Sequence, residues 1–110
     1  MLQIKAFFDD KTSTVTYLVW DSATREAAII DPVLDYEPHA ARLTTTSVDS
    51  VLDVAADLGL KVVWALDTHA HADHLSATHH IHEVTGAKVG IGARITEVQR
   101  VFSSMFHATD

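Results

Sequence analysis

Residues 61–74 constrain this chain more than any other stretch. Lys61-Val62-Val63-Trp64-Ala65-Leu66 is apolar on both faces, which suits a strand at the centre of a sheet. It runs directly into Asp67-Thr68-His69-Ala70-His71-Ala72-Asp73-His74. A strand buried on both faces needs neighbours on either edge and cover above and below, and crossover helices supply that cover. The flanking sequence has the required elements. Upstream, Val48, Val51, Leu52, Ala55 and Ala56 recur at helical spacing, with Ser47 as the expected N-cap, Asp49 in the first turn and Gly59 as the stop. The Lys61–Leu66 strand is therefore expected to lie parallel to an earlier one.

The earlier strands are legible from composition. Ile4–Phe8 reads as an edge strand. Ser13–Trp20 is rich in β-branched and aromatic residues, and Asp21–Thr24 is a turn cluster. Ala27–Ile30 is a buried strand stopped by Asp31-Pro32. Residues 32–46, with two prolines and a threonine run, read as a loop. A helix is expected from about Asp73 to Val84, stopped near Gly86, then a strand over Lys88–Ile91. A last amphipathic helix carries Ile95, Val98, Val101, Phe102, Met105 and Phe106. The predicted order is β-β-β-α-β-α-β-α, one α/β unit spanning residues 1–110.

Bulk properties narrow the function. A net charge of −7 lacks the basic footprint of a nucleic-acid binder. No apolar run approaches the ~20 residues of a membrane span. The first residues lack the basic and long apolar regions of a secretory leader. The chain has no cysteine, so thiol and disulfide chemistry are excluded, and a cytoplasmic setting is expected.

Histidine is the compositional outlier: there are eight, six of them between positions 69 and 82. His69 and His71, two apart on extended backbone, point to one side and can share a metal ion. Asp73 and His74, where the chain turns towards the next helix, can face a second ion or a metal-bound water. Imidazole suits zinc or iron, and the Asp73 carboxylate is a candidate general base. Chance would place His-x-His-x-Asp-His in such a chain about 0.004 times, so metal ligation by His69, His71, Asp73 and His74 is the preferred reading. Ligands of α/β sheets also gather beyond the carboxyl ends of strands. His39 and His107 read as solvated. His79, His80 and His82 read as an exposed or partly packed helix face, with a further metal site as the alternative. Asp31 reads either as a plain Asp-Pro turn or as an acceptor that steadies the metal loop.

Thr68-His69-Ala70-His71-Ala72-Asp73-His74 resembles the signature loop of the metallo-β-lactamase fold, and Ala28-Ile29-Ile30-Asp31-Pro32 resembles its strand-plus-Asp motif. Leu75-Ser76-Ala77, Val33-Leu34-Asp35-Tyr36 and Ile91-Gly92 resemble the persulfide dioxygenase and glyoxalase II branch. The resemblance covers nearly the whole chain. It implies an αββα sandwich, of which this chain would be the N-terminal half: a mixed sheet with helices on one face. It also implies that His69 and His71 match first-site ligands, and Asp73 and His74 second-site ligands. In glyoxalase II-like members two metals bridged by hydroxide serve thioester hydrolysis. In persulfide dioxygenase-like members one iron serves the oxidation of glutathione persulfide to sulfite. There His69 is the matching ligand, with His71 beside it and Asp73 and His74 around it. The expected cofactor is Fe(II) or Zn(II), and the expected partner a small-molecule thiol, as persulfide or thioester. The family's remaining ligands lie in a second half that this chain does not contain. The resemblance thus implies a truncated domain with weak metal binding and little turnover, which either self-associates or pairs with the missing half. A non-catalytic metal-binding or interaction fragment is the competing expectation.

Overall fold

The computed structural model describes residues 2–9, 14–37, 42–68 and 75–90. Strands β1 (Leu2–Asp9), β2 (Thr14–Asp21) and β3 (Glu26–Ile30) form an antiparallel meander. Their composition dictates it: β-branched and aromatic residues fill β2, and the turn after it is held by the Ala23 N–H donating to Asp21 Oδ1 at 2.8 Å. Then come β4 (Val33–Glu37), β5 (Arg42–Thr44), α1 (Thr46–Asp57), β6 (Lys61–Leu66), β7 (Leu75–Ser76), α2 (Thr78–Thr85) and β8 (Lys88–Gly90). The main sheet has the order β1-β2-β3-β6-β8, with β3, β6 and β8 mutually parallel. The strand over Lys61–Leu66 is therefore central, with parallel neighbours on both edges, as its two apolar faces require. A small antiparallel sheet, β5-β4-β7, stands apart from it.

Both described helices pack on one face of the main sheet. Val48, Val51 and Ala55 of α1, and Ala77 and Ile81 at α2, meet Leu18, Ala27, Ile29, Val62 and Ala65 in a single buried cluster. The opposite face holds a smaller cluster of Val19, Ala28, Ile30 and Leu66, with Trp64 against it. The mixed sheet with helices on one face is as expected. Tyr17 and Val19 lie on the helix-free side, whereas Ile29 lies opposite Leu18 and points to the helices. Val63 falls where the β3–β6 register shifts: Ala27 pairs with Val62, but Ala28 pairs with Trp64. That one extra residue lets both Val62 and Ala65 face the helices despite their odd separation. On the helix-free face the β1 side chains Ile4 and Phe8 are 60% and 66% exposed.

Four expectations are corrected. Residues 32–46 contain two short strands rather than a loop, because β4 finds partners in β5 and β7 that no local pattern announces. The helix after the histidine loop begins at Thr78, since Leu75–Ser76 first pair with Leu34 and Val33. The cap of α1 is Thr45 rather than Ser47, and Ala56 of the proposed stripe is exposed. Gly59 and Gly86 do end their helices in left-handed backbone, at φ 69° and 75°. The expected final helix over residues 95–106 lies outside the described residues.

Candidate metal centre

The parallel strands β3 and β6 end side by side, and the geometry there is built on Asp31. Its N–H donates to the Leu66 carbonyl at 2.7 Å, and its own carbonyl accepts the Thr16 hydroxyl at 2.8 Å. These bonds hold Asp31 at φ 56°, a left-handed conformation that Asp tolerates better than most residues. The turned backbone aims the carboxylate across the strand ends. Oδ1 accepts the Thr68 N–H at 2.8 Å and Oδ2 accepts the Thr68 hydroxyl at 2.7 Å. The Asp-Pro turn is thus a two-point clamp on the residue immediately before His69.

The next residues of the same segment hold the other end of the loop. The Pro32 carbonyl accepts the Ala77 N–H at 3.2 Å, and Val33 and Leu34 pair with Ser76 and Leu75. Residues 31–34 therefore fasten the chain both before position 69 and after position 74. The six residues between are His69, Ala70, His71, Ala72, Asp73 and His74. These proposed ligands, and the candidate general base Asp73, lie outside the described residues. Their donor chemistry, three imidazoles and a carboxylate, suits a divalent transition metal. Among the described residues no group of three or more His, Asp or Glu could hold a metal ion.

Asp67 and Thr78 also belong to this region and were not singled out by sequence. Both are buried, at 2% and 4% exposure. The Asp67 N–H donates to the Gly90 carbonyl at 2.8 Å, and Thr78 Oγ1 donates to Asp67 Oδ2 over a long 3.4 Å. A usable signal existed. Asp67 follows an apolar strand directly, just as Asp31 follows Ala27–Ile30, and an acid in that place must find donors or face solvent.

The α2 histidines have other partners. His79 pairs with Glu83 at 2.7 Å on an exposed face, and His80 Nε2 meets Asp49 Oδ1 of α1 at 2.9 Å. The His82 Nδ1 lies 2.7 Å from the Ala87 carbonyl. Asp49 is held below its ordinary carboxylate value, first by the Thr45 hydroxyl at 2.7 Å and then by His80. His39 and His107 lie outside the described residues.

The family model described as the metallo-beta-lactamase superfamily matches residues 9–108. A probable metallo-hydrolase of Burkholderia pseudomallei is 44% identical over 107 residues, covering 97% of this chain and 36% of that protein. The mitochondrial persulfide dioxygenase ETHE1 of Mus musculus is 39% identical over 75 residues, covering 68% of this chain and 25% of its own. The crystal structure of ETHE1 from Myxococcus xanthus superposes with a TM-score of 0.66 at 40% identity, covering 79% of this chain and 34% of that one. The chain thus spans about a quarter to a third of the length of these relatives. No helix among the described residues is long and apolar enough to cross a membrane.

Proposed function

Because the chain belongs to the metallo-β-lactamase superfamily, we propose that it carries the histidine-rich ligand loop of a metal-dependent enzyme acting on a small thiol. Oxidation of a glutathione persulfide to sulfite is the favoured reaction. The observation that carries this reading is the Asp31 clamp: two hydrogen bonds fix Thr68 at the strand ends, directly before His69. A loop that only covered a surface would not need both its ends fastened to one turn. His69 and His71 would hold the ion, with Asp73 and His74 completing the donor set or lying around it. When bound, Fe(II) or Zn(II) supplies Lewis acidity, and iron adds the redox chemistry that oxidation of a persulfide requires. Asp73 is suited to hold a proton during the reaction. Two relatives bear on the choice of reaction. The 39% identity to the murine persulfide dioxygenase supports oxidation, and the 44% identity to a probable metallo-hydrolase supports thioester hydrolysis as the second reading. A single domain over residues 1–110 and a cytoplasmic setting are part of the same proposal.

The test begins with the purified chain loaded separately with Fe(II), without oxygen, and with Zn(II). Metal content per chain is compared with that of His69→Ala and His71→Ala, and both variants are expected to lose metal. The protein containing this chain is then offered glutathione persulfide in an oxygen electrode, and a glutathione thioester without oxygen. Oxygen uptake with sulfite formation supports the first reaction; thioester cleavage without oxygen uptake supports the second. Metal content unchanged in both histidine variants would sink the ligand assignment.

A further inference from the structure

We propose that Asp67 is a positioning residue for the ligand loop, bracing its two ends against each other from beneath. The inference rests on the metal-loop reading above and extends it to a residue outside the His-x-His-x-Asp-His pattern. Asp67 ends β6 one residue before Thr68, and its backbone is tied to β8 through the Gly90 carbonyl. Its carboxylate turns to the helix side of the sheet, where the hydroxyl of Thr78, the first residue of α2, donates to it. Residues 67 and 78 thus face each other across the base of the segment that contains the four proposed ligands. Asp31 fixes the same segment from the β3 end. One acid sets where the loop leaves the sheet, and the other sets how far α2 stands from that point.

Burial gives the argument its weight. A carboxylate with 2% exposure is costly unless donors surround it, and a leucine, valine or asparagine of similar size would fill this place at less cost. The alternative is a purely structural role. Ala77, the N-cap of α2, has no side chain able to cap, so a negative group at Asp67 would complement that helix end without regard to the loop. The two roles separate by what they move. A helix-end role changes the stability of the metal-free chain. A positioning role changes metal affinity and the geometry at the ion beyond any change in stability.

The probe is Co(II) alone, titrated into the wild-type chain and into Asp67→Asn, Thr78→Val and Thr78→Ser, with melting of each metal-free protein measured alongside. Ala56→Gly, on the exposed surface of α1, serves as a control that lowers stability far from the loop. Asp67→Asn and Thr78→Val are expected to weaken Co(II) binding roughly 10–100-fold and to shift the visible absorption of bound cobalt. Thr78→Ser, which keeps the hydroxyl, is expected to restore both. Ala56→Gly is expected to lower the melting midpoint with unchanged affinity. Wild-type affinity and spectrum in Asp67→Asn overturn the inference while leaving the metal reading intact. So does an affinity loss in Ala56→Gly as large as that in Asp67→Asn. A wild-type chain that takes up no cobalt overturns the metal reading and this inference together.

Discussion

Replacing Asp31 separates two contributions that the structure combines in one residue. The first is the carboxylate, which accepts from the Thr68 N–H at 2.8 Å and the Thr68 hydroxyl at 2.7 Å. Hydrogen bonds to a charged group contribute about 1.5–3 kcal/mol each, and the low end applies to this half-buried site, giving about 3 kcal/mol for the pair. The second is the backbone, held at φ 56°. Alanine is disfavoured in that conformation by about 1–2 kcal/mol, whereas glycine is not and asparagine tolerates it. Asp31→Asn keeps an acceptor and the backbone preference, and should cost about 1–2 kcal/mol. Asp31→Gly loses the carboxylate but relaxes the backbone, for a loss of about 2–3 kcal/mol. Asp31→Ala suffers both effects, at about 3–5 kcal/mol. Domains of this kind are stable by only about 5–15 kcal/mol, so the alanine variant should lie close to its unfolding threshold. The assay is urea unfolding followed by circular dichroism and by tryptophan fluorescence. The expected order of midpoints is wild type, Asn, Gly, Ala. With a slope of about 1–3 kcal/mol per molar urea, the extremes should differ by more than 1 M. Equal midpoints for glycine and alanine would remove the backbone contribution. All three variants within about 0.5 kcal/mol of wild type would refute the claim that Asp31 holds Thr68.

Other consequences follow from single contacts. The carboxyl of Asp49 is lowered by the Thr45 hydroxyl and by His80, so its stabilising contribution is present above the ordinary value of 3.8 and disappears as pH falls through the lowered value. Melting curves between pH 2 and 6 should therefore show His80→Ala and wild type converging at the acid end, with a gap above pH 4 within the ~0–1 kcal/mol of exposed pairs. A Cβ on Gly90 would stand 2.9 Å from Leu66 Cδ2, so Gly90→Ala should cost about 1–3 kcal/mol. The cost should shrink in a Leu66→Val background, and an undiminished loss there would disprove the clash. Ile29→Ala, at the middle of the helix-side cluster, should destabilise by about 2–5 kcal/mol in urea. The exposed Ile4 and Phe8 on the helix-free side of edge strand β1 predict concentration-dependent association, measured by light scattering and reduced in Ile4→Lys/Phe8→Lys.

The parts of the fold legible in the sequence are those whose residues answer to a local rule. Lys61–Leu66 is apolar on both faces because Val62 and Ala65 are buried against the helices and Leu66 is buried on the other side, and Gly59 and Gly86 end helices because each adopts positive φ. Asp31 was legible as an acid after a buried strand, and both of its readings hold in part: it makes a turn, and its side chain reaches Thr68. The strands β4 and β7 were not legible, since their two residue pairs form only because the chain returns past residues 31–34 after the histidine loop. The start of α2 moved for the same reason. Local propensity favours helix from Asp73, but pairing of Leu75 and Ser76 with Leu34 and Val33 takes precedence and delays the helix to Thr78.

The register shift at Val63 shows why the two faces of the sheet could not be assigned from alternation. A strict period of two along Lys61–Leu66 puts Val63 and Ala65 on one side, and Val62 and Leu66 on the other. The structure instead places Val62 and Ala65 with α1 and α2, and Trp64 and Leu66 opposite. One extra residue in β6, Val63, opposite the step from Ala27 to Ala28, reverses the order from there to the strand's end. The reversal has a chemical consequence at the next position. Counted from Leu66, Asp67 turns to the helix side, where Thr78 can donate to it. Without the bulge, the same strand would send Leu66 among the helices and direct Asp67 to the helix-free face, away from α2. A feature invisible to hydrophobic patterning thus decides which face of the sheet receives the Asp67 carboxylate. Deleting Val63 should therefore remove only the irregularity: Val62, Trp64, Ala65 and Leu66 then alternate strictly on the sides they already occupy, and Asp67 stays with Thr78. The deletion variant is expected to melt as cooperatively as the wild type, and loss of its cooperative transition would contradict the assignment of Val63 as the extra residue.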